Sequence, residues 1–290
     1  MSKLALGSAQ FGLRYGVANE LDRVGSAALE SILALALSAG IDQIDTAIAY
    51  GDSESRLGSA GVSAWRVVTK LPALPPGTRN IPDWVESHVR GSLLRLKIPR
   101  LDGLLLHRPA DLSEVHGFEY LRALESVKER GLIGGAGVSI YSPGELDSVW
   151  EIWRPDIVQA PFNVFDRRLI HSGWLTKLVD HGVRIHTRSA FLQGLLLLSD
   201  VRRPAWFDRW RQLLYRWQAY CREVQKSPLQ VATGFALAQP GIECAIVGVD
   251  SRVQLEQVLA SVSTQPVPIL PGDLSSEDLE LLEPSRWKLT

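Results

Sequence analysis

The sequence predicts a closed (β/α)8 barrel, eight parallel β-strands each followed by a helix. Short apolar runs of β type recur at a fairly steady interval along the 290 residues, with helically spaced segments between them. Strands that are apolar on both faces and alternate with helices indicate parallel βαβ units, and eight such units leave no sequence for a second domain. An open doubly wound sheet is the competing fold. It calls for a Gly-rich phosphate turn after the first strand, and GSAQFG (7–12) is not G-x-G-x-x-G.

The eight expected strands are KLALG (3–7), IDQID (41–45), WRVVTK (65–70), LDGLLLH (101–107), LIGGAGVS (132–139), DIVQA (156–160), VRIHT (183–187) and ECAIVGV (243–249). Between them, SAALESILALALSAG (26–40) sets Leu29, Ile32, Leu33, Ala36 and Leu37 on one face and ends at Gly40, a helix stop. Residues 82–96, 117–131, 142–152 and 251–262 have the same spacing, and 206–238 reads as two helices split at Ser227-Pro228. RRPAWFDRWRQLLYRW (202–217) reads as one amphipathic helix. One domain over 1–290 is expected, with a tail from about 263 to 290 carrying a short helix in SSEDLELLE.

Lys and Arg total 31 against 32 Asp and Glu, so no electrostatic footprint for nucleic acid or an anionic membrane is expected. Cys221 and Cys244 form no CxxC pair and suggest neither a disulfide framework nor a zinc site. The N-terminus lacks the features of a signal peptide, and LLLL at 195–198 is far short of a membrane span. These observations predict a cytoplasmic protein.

In a parallel barrel the functional face lies at the C-terminal ends of the strands. The polar residues there are Asp45 after the second strand, Lys70 after the third and His107 after the fourth, with Tyr50 five residues beyond Asp45. Singly, each has an ordinary structural explanation: a turn cap, a solvated strand end, a satisfied loop residue, a packing aromatic. Together, at successive strand ends, they point to a site. A phenol, with a reference pKa of about 10, suits proton donation if tuned down. A lysine ammonium within ~4 Å favours the phenolate by up to ~4 kcal/mol at an effective dielectric of ~20. Asp45 would hold Lys70, and His107 would hydrogen-bond a substrate oxygen. There is no evident nucleophile with a base beside it and no set of metal ligands, so a second reactant is required. A hydride from a nicotinamide is the natural candidate. Asp52, Ser53 and Glu54 are read as the cap of the helix that follows.

With these residues in place, the chain resembles the aldo-keto reductase family from residue 3 to about residue 260. DTAIAYGDSESRLG (45–58), VVTKLP (67–72) and LLLHRP (104–109) are similar, in order, to the family's tyrosine, lysine and histidine motifs. The resemblance implies that Tyr50 is the general acid, that Lys70 and Asp45 tune it, that His107 orients a carbonyl, and that NAD(P)H delivers the hydride. It also implies that Ser139 and Gln159 hold the nicotinamide amide. The asparagine common after that serine is Ile140 here, with Asn163 as a partial replacement. In HTRSAFLQGLLL (186–197), Ser189, Phe191, Gln193 and Gly194 match the loop that wraps the pyrophosphate. Arg188 occupies the place of an aromatic that stacks on the nicotinamide, and a guanidinium also lies flat on a ring.

IVGVDSRVQLEQ (246–257) is similar to the segment that binds the adenosine end. Gly248 stands for a frequent lysine, Gln254 for a frequent arginine and Val258 for a frequent asparagine, with Gln257 beside them. Ser251 and Arg252 at a helix N-terminus would meet a 2′-phosphate, whereas Asp250 would bond ribose hydroxyls and repel it. The expected cofactor is NADPH, favoured over NADH, with no metal. The hairpin that plugs the barrel bottom in many members is not expected. Phe11, Tyr15 and Trp287 are candidate walls of the substrate pocket, and Ala9 suggests a roomy mouth.

The implied partner is a small carbonyl compound. GSAQFGLRYGVAN and RSAFLQGLLL are most similar to bacterial members associated with sugar metabolism. Two alternatives stand beside this: a non-catalytic nicotinamide-binding redox-sensing subunit, and a different barrel enzyme using Asp45 and His107 as acid and base. The oligomeric state is left open.

Overall fold

The computed structural model describes residues 3–17, 23–262 and 270–289. Eight parallel strands close into a barrel in sequence order, each paired with its neighbours and the first with the last. They are β1 (Leu4–Gly7), β2 (Gln43–Asp45), β3 (Arg66–Leu71), β4 (Gly103–Leu106), β5 (Ala136–Ser139), β6 (Ile157–Pro161), β7 (Arg184–Arg188) and β8 (Ile242–Gly248).

Successive side chains on a strand point to opposite faces, and the packing follows that period. Leu4, Leu6, Ile44, Val67, Leu104, Leu106, Val138 and Val158 join the outer core beneath the helices. The alternate residues Val68, Leu105 and Ile157 form a separate cluster, as do Ala5, Cys244 and Ile246. These two clusters are the middle of the barrel interior. The same parity sends Asp45, Lys70, His107, Ser139, Gln159 and Arg188 inward at the C-terminal end.

At the opposite end the inward residues are charged. Arg184 binds Glu243 and Asp102, each at 2.7 Å, and Arg66 binds Glu243 at 3.1 Å and Asp42 at 3.2 Å. Burial opposes the charge on Glu243, but hydrogen bonds from His186 and Arg184 outweigh it and hold the carboxyl well below its usual range. The strands are therefore apolar on both faces only in their middle turn.

The stretch expected as one amphipathic helix at 202–217 is in fact three pieces: 3-10 turns Asp200–Arg202 and Ala205–Trp210, then helix Arg211–Glu223. Pro204 lacks an amide hydrogen and biases the residue before it toward extended backbone, and Arg203 has φ −81 and ψ 128. The break at Ser227-Pro228 falls as expected, with Ser227 and Gln230 forming a capping box on helix Pro228–Ala238. A second apolar cluster joins the segments after β6 and β7 to the tail through Phe165, Phe207, Trp217 and Leu281. The tail is fastened there by Ser276 N donating to Phe165 O at 2.8 Å and Trp210 Nε1 to Asp278 Oδ2 at 2.9 Å. The short tail helix covers Leu279–Leu282, while 263–269 and 290 lie outside the described residues.

Among the described residues no helix is long and apolar enough to cross a membrane. None of their His, Cys, Asp and Glu side chains forms a group of three or more able to hold a metal.

Candidate active site

Lys70 is 1% exposed, and its ammonium reaches Asp45 Oδ2 at 2.7 Å, Asp45 Oδ1 at 2.8 Å and Thr46 O at 2.9 Å. Burial disfavours that charge, but Asp45 above all reverses the effect, so Lys70 titrates above its ordinary value. The same ammonium lies 3.5 Å from Tyr50 Oη and 5.0 Å from the centroid of the Tyr50 ring. Gln159 Nε2 donates to Asp45 Oδ1 at 2.6 Å, and Ser139 Oγ donates to Gln159 Oε1 at 3.2 Å. One hydrogen-bonded chain thus joins Ser139, Gln159, Asp45, Lys70 and Tyr50.

The Tyr50 turn is built by close backbone packing. Thr46 N and Ile48 N donate to Val68 O and Lys70 O at 2.8 and 3.2 Å, which extends the β2–β3 ladder past the strand. Tyr50 O accepts from Ser53 N at 3.1 Å. A Cβ on Gly12 would lie 1.9 Å from Tyr50 O, so only glycine allows the segment after β1 to press on this turn. Ser53 Oγ, 2.9 Å from Ser8 Oγ, ties the same two loops.

His107 is partly buried, its ring edge-on to Tyr50 with centroids 6.2 Å apart. Burial, then the charges of Lys70 and Arg188, push its pKa down to about 4, so the imidazole is neutral near pH 7. Arg188 donates from Nη2 to Ile140 O at 2.9 Å and lies over Tyr141, 4.8 Å from the ring centroid.

A cleft of about 680 Å³ opens at this mouth. Near its polar centre it is lined by Asp45, Tyr50, Arg188 and Tyr15, and on the β7 side by Ser189, Phe191, Gln193, Gly194 and Arg202. Gly248, Asp250, Gln254, Gln257 and Val258 line the β8 side. Ser189, Leu192 and Gln193 have φ of 62, 47 and 51, and Gly194 has φ 92. Such left-handed backbone at non-glycine residues is costly and collects at ligand-holding loops. The loop is tied to the segment after β1 by Val17 N donating to Gln193 O at 3.0 Å and by Gln193 Nε2 donating to Tyr15 Oη at 3.3 Å.

Several expected positions fall elsewhere. Ser139 and Gln159 are buried, in the hydrogen-bonded chain that runs through Asp45 and Lys70 to Tyr50. The Asn163 carbonyl accepts from Phe165 N and Asp166 N and its amide donates to Ser189 O, so it fixes the loop after β6. Ser251 Oγ accepts from Gln254 N at 3.2 Å and caps its own helix. Arg252 binds Glu256 at 2.9 Å and Ser31 at 3.4 Å, away from the cleft. Phe11 is wholly buried in the outer core, and Trp287 packs on Phe207 with centroids 4.8 Å apart; neither lines the cleft, whereas Tyr15 and Ala9 do.

The acidic run after Tyr50 starts the next helix, Ser53–Ala60, with Asp52 at the N-cap position and Glu54 in the first turn. Asp52 pairs with Arg23 at 2.7 Å and makes no side-chain cap bond. Glu54 is 2% exposed and accepts from Thr69 Oγ1 at 2.6 Å, Arg95 Nε at 2.8 Å and Ser92 Oγ at 3.2 Å. It joins β3, through Thr69 on the face opposite Lys70, to helix Ile81–Leu96. Gln10 and Arg202 also line the cleft without having been anticipated. The Gln10 amide lies over Gly248, 2.3 Å from where a Cβ would be, so it fills space that a side chain at 248 would otherwise take.

Fold and site define a (β/α)8 barrel whose C-terminal mouth sets a phenol against a buried lysine–carboxylate pair beside a cleft. Residues 3–269 match the model of the aldo/keto reductase family, and the chain belongs to that family. Members of the family are oxidoreductases that use NAD(P)H. The chain is similar to aflatoxin B1 aldehyde reductase member 2 of Rattus norvegicus, with 24% identity over 84% of this chain and 78% of that protein. It is 24% identical to a probable voltage-gated potassium channel subunit beta of Arabidopsis thaliana, over 92% of this chain and 90% of that one. Among solved structures, an aldo-keto reductase from Bacillus halodurans in its holo form shares the fold with a TM-score of 0.73 and 20% identity, over 92% of this chain and 88% of that one.

Proposed function

We propose that the protein reduces an aldehyde or ketone, of sugar-like type, to an alcohol, acting as one catalytic unit with Tyr50 as the proton donor. The observation that carries this reading is the Tyr50 hydroxyl 3.5 Å from the buried Lys70 ammonium at the edge of the cleft. A bound nicotinamide dinucleotide supplies the hydride.

The cleft suits such a molecule. Its lining runs from Tyr50 to the ends of β7 and β8, it carries the left-handed backbone at Ser189, Gln193 and Gly194, and it has cationic Arg188 and Arg202 on its β7 side. Arg188 and Phe191 would flank the ring, Gln193 and Gly194 the pyrophosphate, and Gly248, Gln254 and Gln257 the adenosine.

Tyr50 gives its proton to the carbonyl oxygen as charge builds there. The Lys70 ammonium, held by Asp45 in a site with little water, favours the negative charge left on Oη. Neutral His107 hydrogen-bonds the same oxygen and adds no competing positive charge. Tyr15 offers a ring face at the mouth, which suits the apolar face of a sugar.

The test is a screen of keto-sugars, aldoses and simple aldehydes with reduced dinucleotide, following nicotinamide oxidation. No turnover across the panel, with dinucleotide binding intact, would instead support the second reading: a nicotinamide-binding subunit without turnover. The similarity to the Arabidopsis channel subunit is the observation that favours that reading.

A further inference from the structure

The adenosine end of the cleft differs in charge from what a 2′-phosphate requires. Asp250 lines it, half-buried, with its backbone amide donating to Gln254 Oε1 at 2.7 Å and its Oδ2 3.5 Å from Gln254 Nε2. The other β8-side residues, Gly248, Val249, Gln254, Gln257 and Val258, carry no charge. Among the described residues lining the cleft, the cations are Arg188 at the end of β7 and Arg202 in the segment that follows it. Arg252, the one basic residue near this end in sequence, is engaged on Glu256 and Ser31 outside the cleft.

A carboxylate accepts hydrogen bonds from the two hydroxyls of an unmodified adenosine ribose. A 2′-phosphate removes one of those hydroxyls and puts up to two negative charges beside the same carboxylate, with solvent partly excluded. We infer that Asp250 selects NADH over NADPH, and that the NADPH preference suggested by Ser251 and Arg252 in the sequence is reversed by where the side chains lie.

This inference rests on the proposed dinucleotide site, and the test keeps the two apart. Titration calorimetry of the whole chain with NADH and with NADPH gives both dissociation constants without turnover. NADH is expected to bind at least about ten-fold more tightly. Asp250→Asn preserves shape and removes charge; it should weaken NADH and strengthen NADPH, so that the ratio collapses toward unity. A purely structural role for Asp250 would weaken both together, and that result overturns the inference. So does tighter binding of NADPH to the unaltered protein. Gln254→Arg, which leaves Asp250 in place, should raise NADPH affinity alone, and its failure to do so counts against this end of the cleft as the phosphate position. If neither dinucleotide binds the unaltered protein, the site assignment itself fails, and this inference with it.

Discussion

The Lys70 ammonium is held 2.7 Å from the Asp45 carboxylate in a site where Lys70 is 1% exposed, leaving Tyr50 Oη 3.5 Å away. An ion pair buried this deeply is costly to break, because the surviving partner keeps its charge without its counter-ion. Lys70→Met should therefore destabilise the fold by about 3–5 kcal/mol in denaturant unfolding. It should also lower kcat by about 10²–10⁴-fold, and move the alkaline limb of the pH–rate profile upward. An unchanged profile would separate Lys70 from the proton donor.

His107 makes a prediction of the opposite electrostatic kind. Its pKa is about 4 in the fold, against about 6.5 in the unfolded chain. Between those values the unfolded state binds more protons, so His107 makes stability fall as pH drops from about 6.5 toward 4. His107→Asn should flatten this acid-side slope in pH-dependent melting. Ring resonances of His107 that titrate near 6.5 by NMR would contradict the burial and charge assigned to it.

Gly12 tests how the turn is built. Because a Cβ there would meet Tyr50 O, Gly12→Ala should displace the phenol and lower kcat/KM by about 10²-fold. Far-UV circular dichroism should show the barrel retained. Full activity in this variant would mean that the turn tolerates a shift of the size required.

Glu54 is predicted to stabilise rather than catalyse. Glu54→Ala strips three donors of their acceptor, and should cost about 2–3 kcal/mol in unfolding free energy. Glu54→Gln, which keeps one acceptor oxygen and offers an NH2 that can donate to the other hydroxyl of the Thr69 and Ser92 pair, should cost less. An order of destabilisation in which Gln is worse than Ala would point to a different role.

These residues also show what the sequence made legible. The barrel followed from apolar runs and intervening helical spacing, because both are local. Asp45, Tyr50, Lys70 and His107 were legible because strand ends in such a barrel must converge. Glu54 and Asn163 were not: each is a polar residue whose role is fixed by partners on other segments, Glu54 by Thr69 and Arg95, and Asn163 by Ser189 as well as its own turn. Arg202 ends a 3-10 turn and Arg252 starts a helix, and neither placement tells which side chain lines the cleft; their side-chain directions do. A glycine pressed against backbone carries no such ambiguity once the neighbour is known, as Gly12 against Tyr50 O shows.

The most direct test of the central claim is Tyr50→Phe, which removes one oxygen and leaves the ring in place. Dinucleotide affinity, measured by calorimetry, should stay within about two-fold, while kcat for a carbonyl substrate of the unaltered protein falls by about 10²–10⁴-fold. Turnover retained at the level of the unaltered protein would contradict Tyr50 as the proton donor.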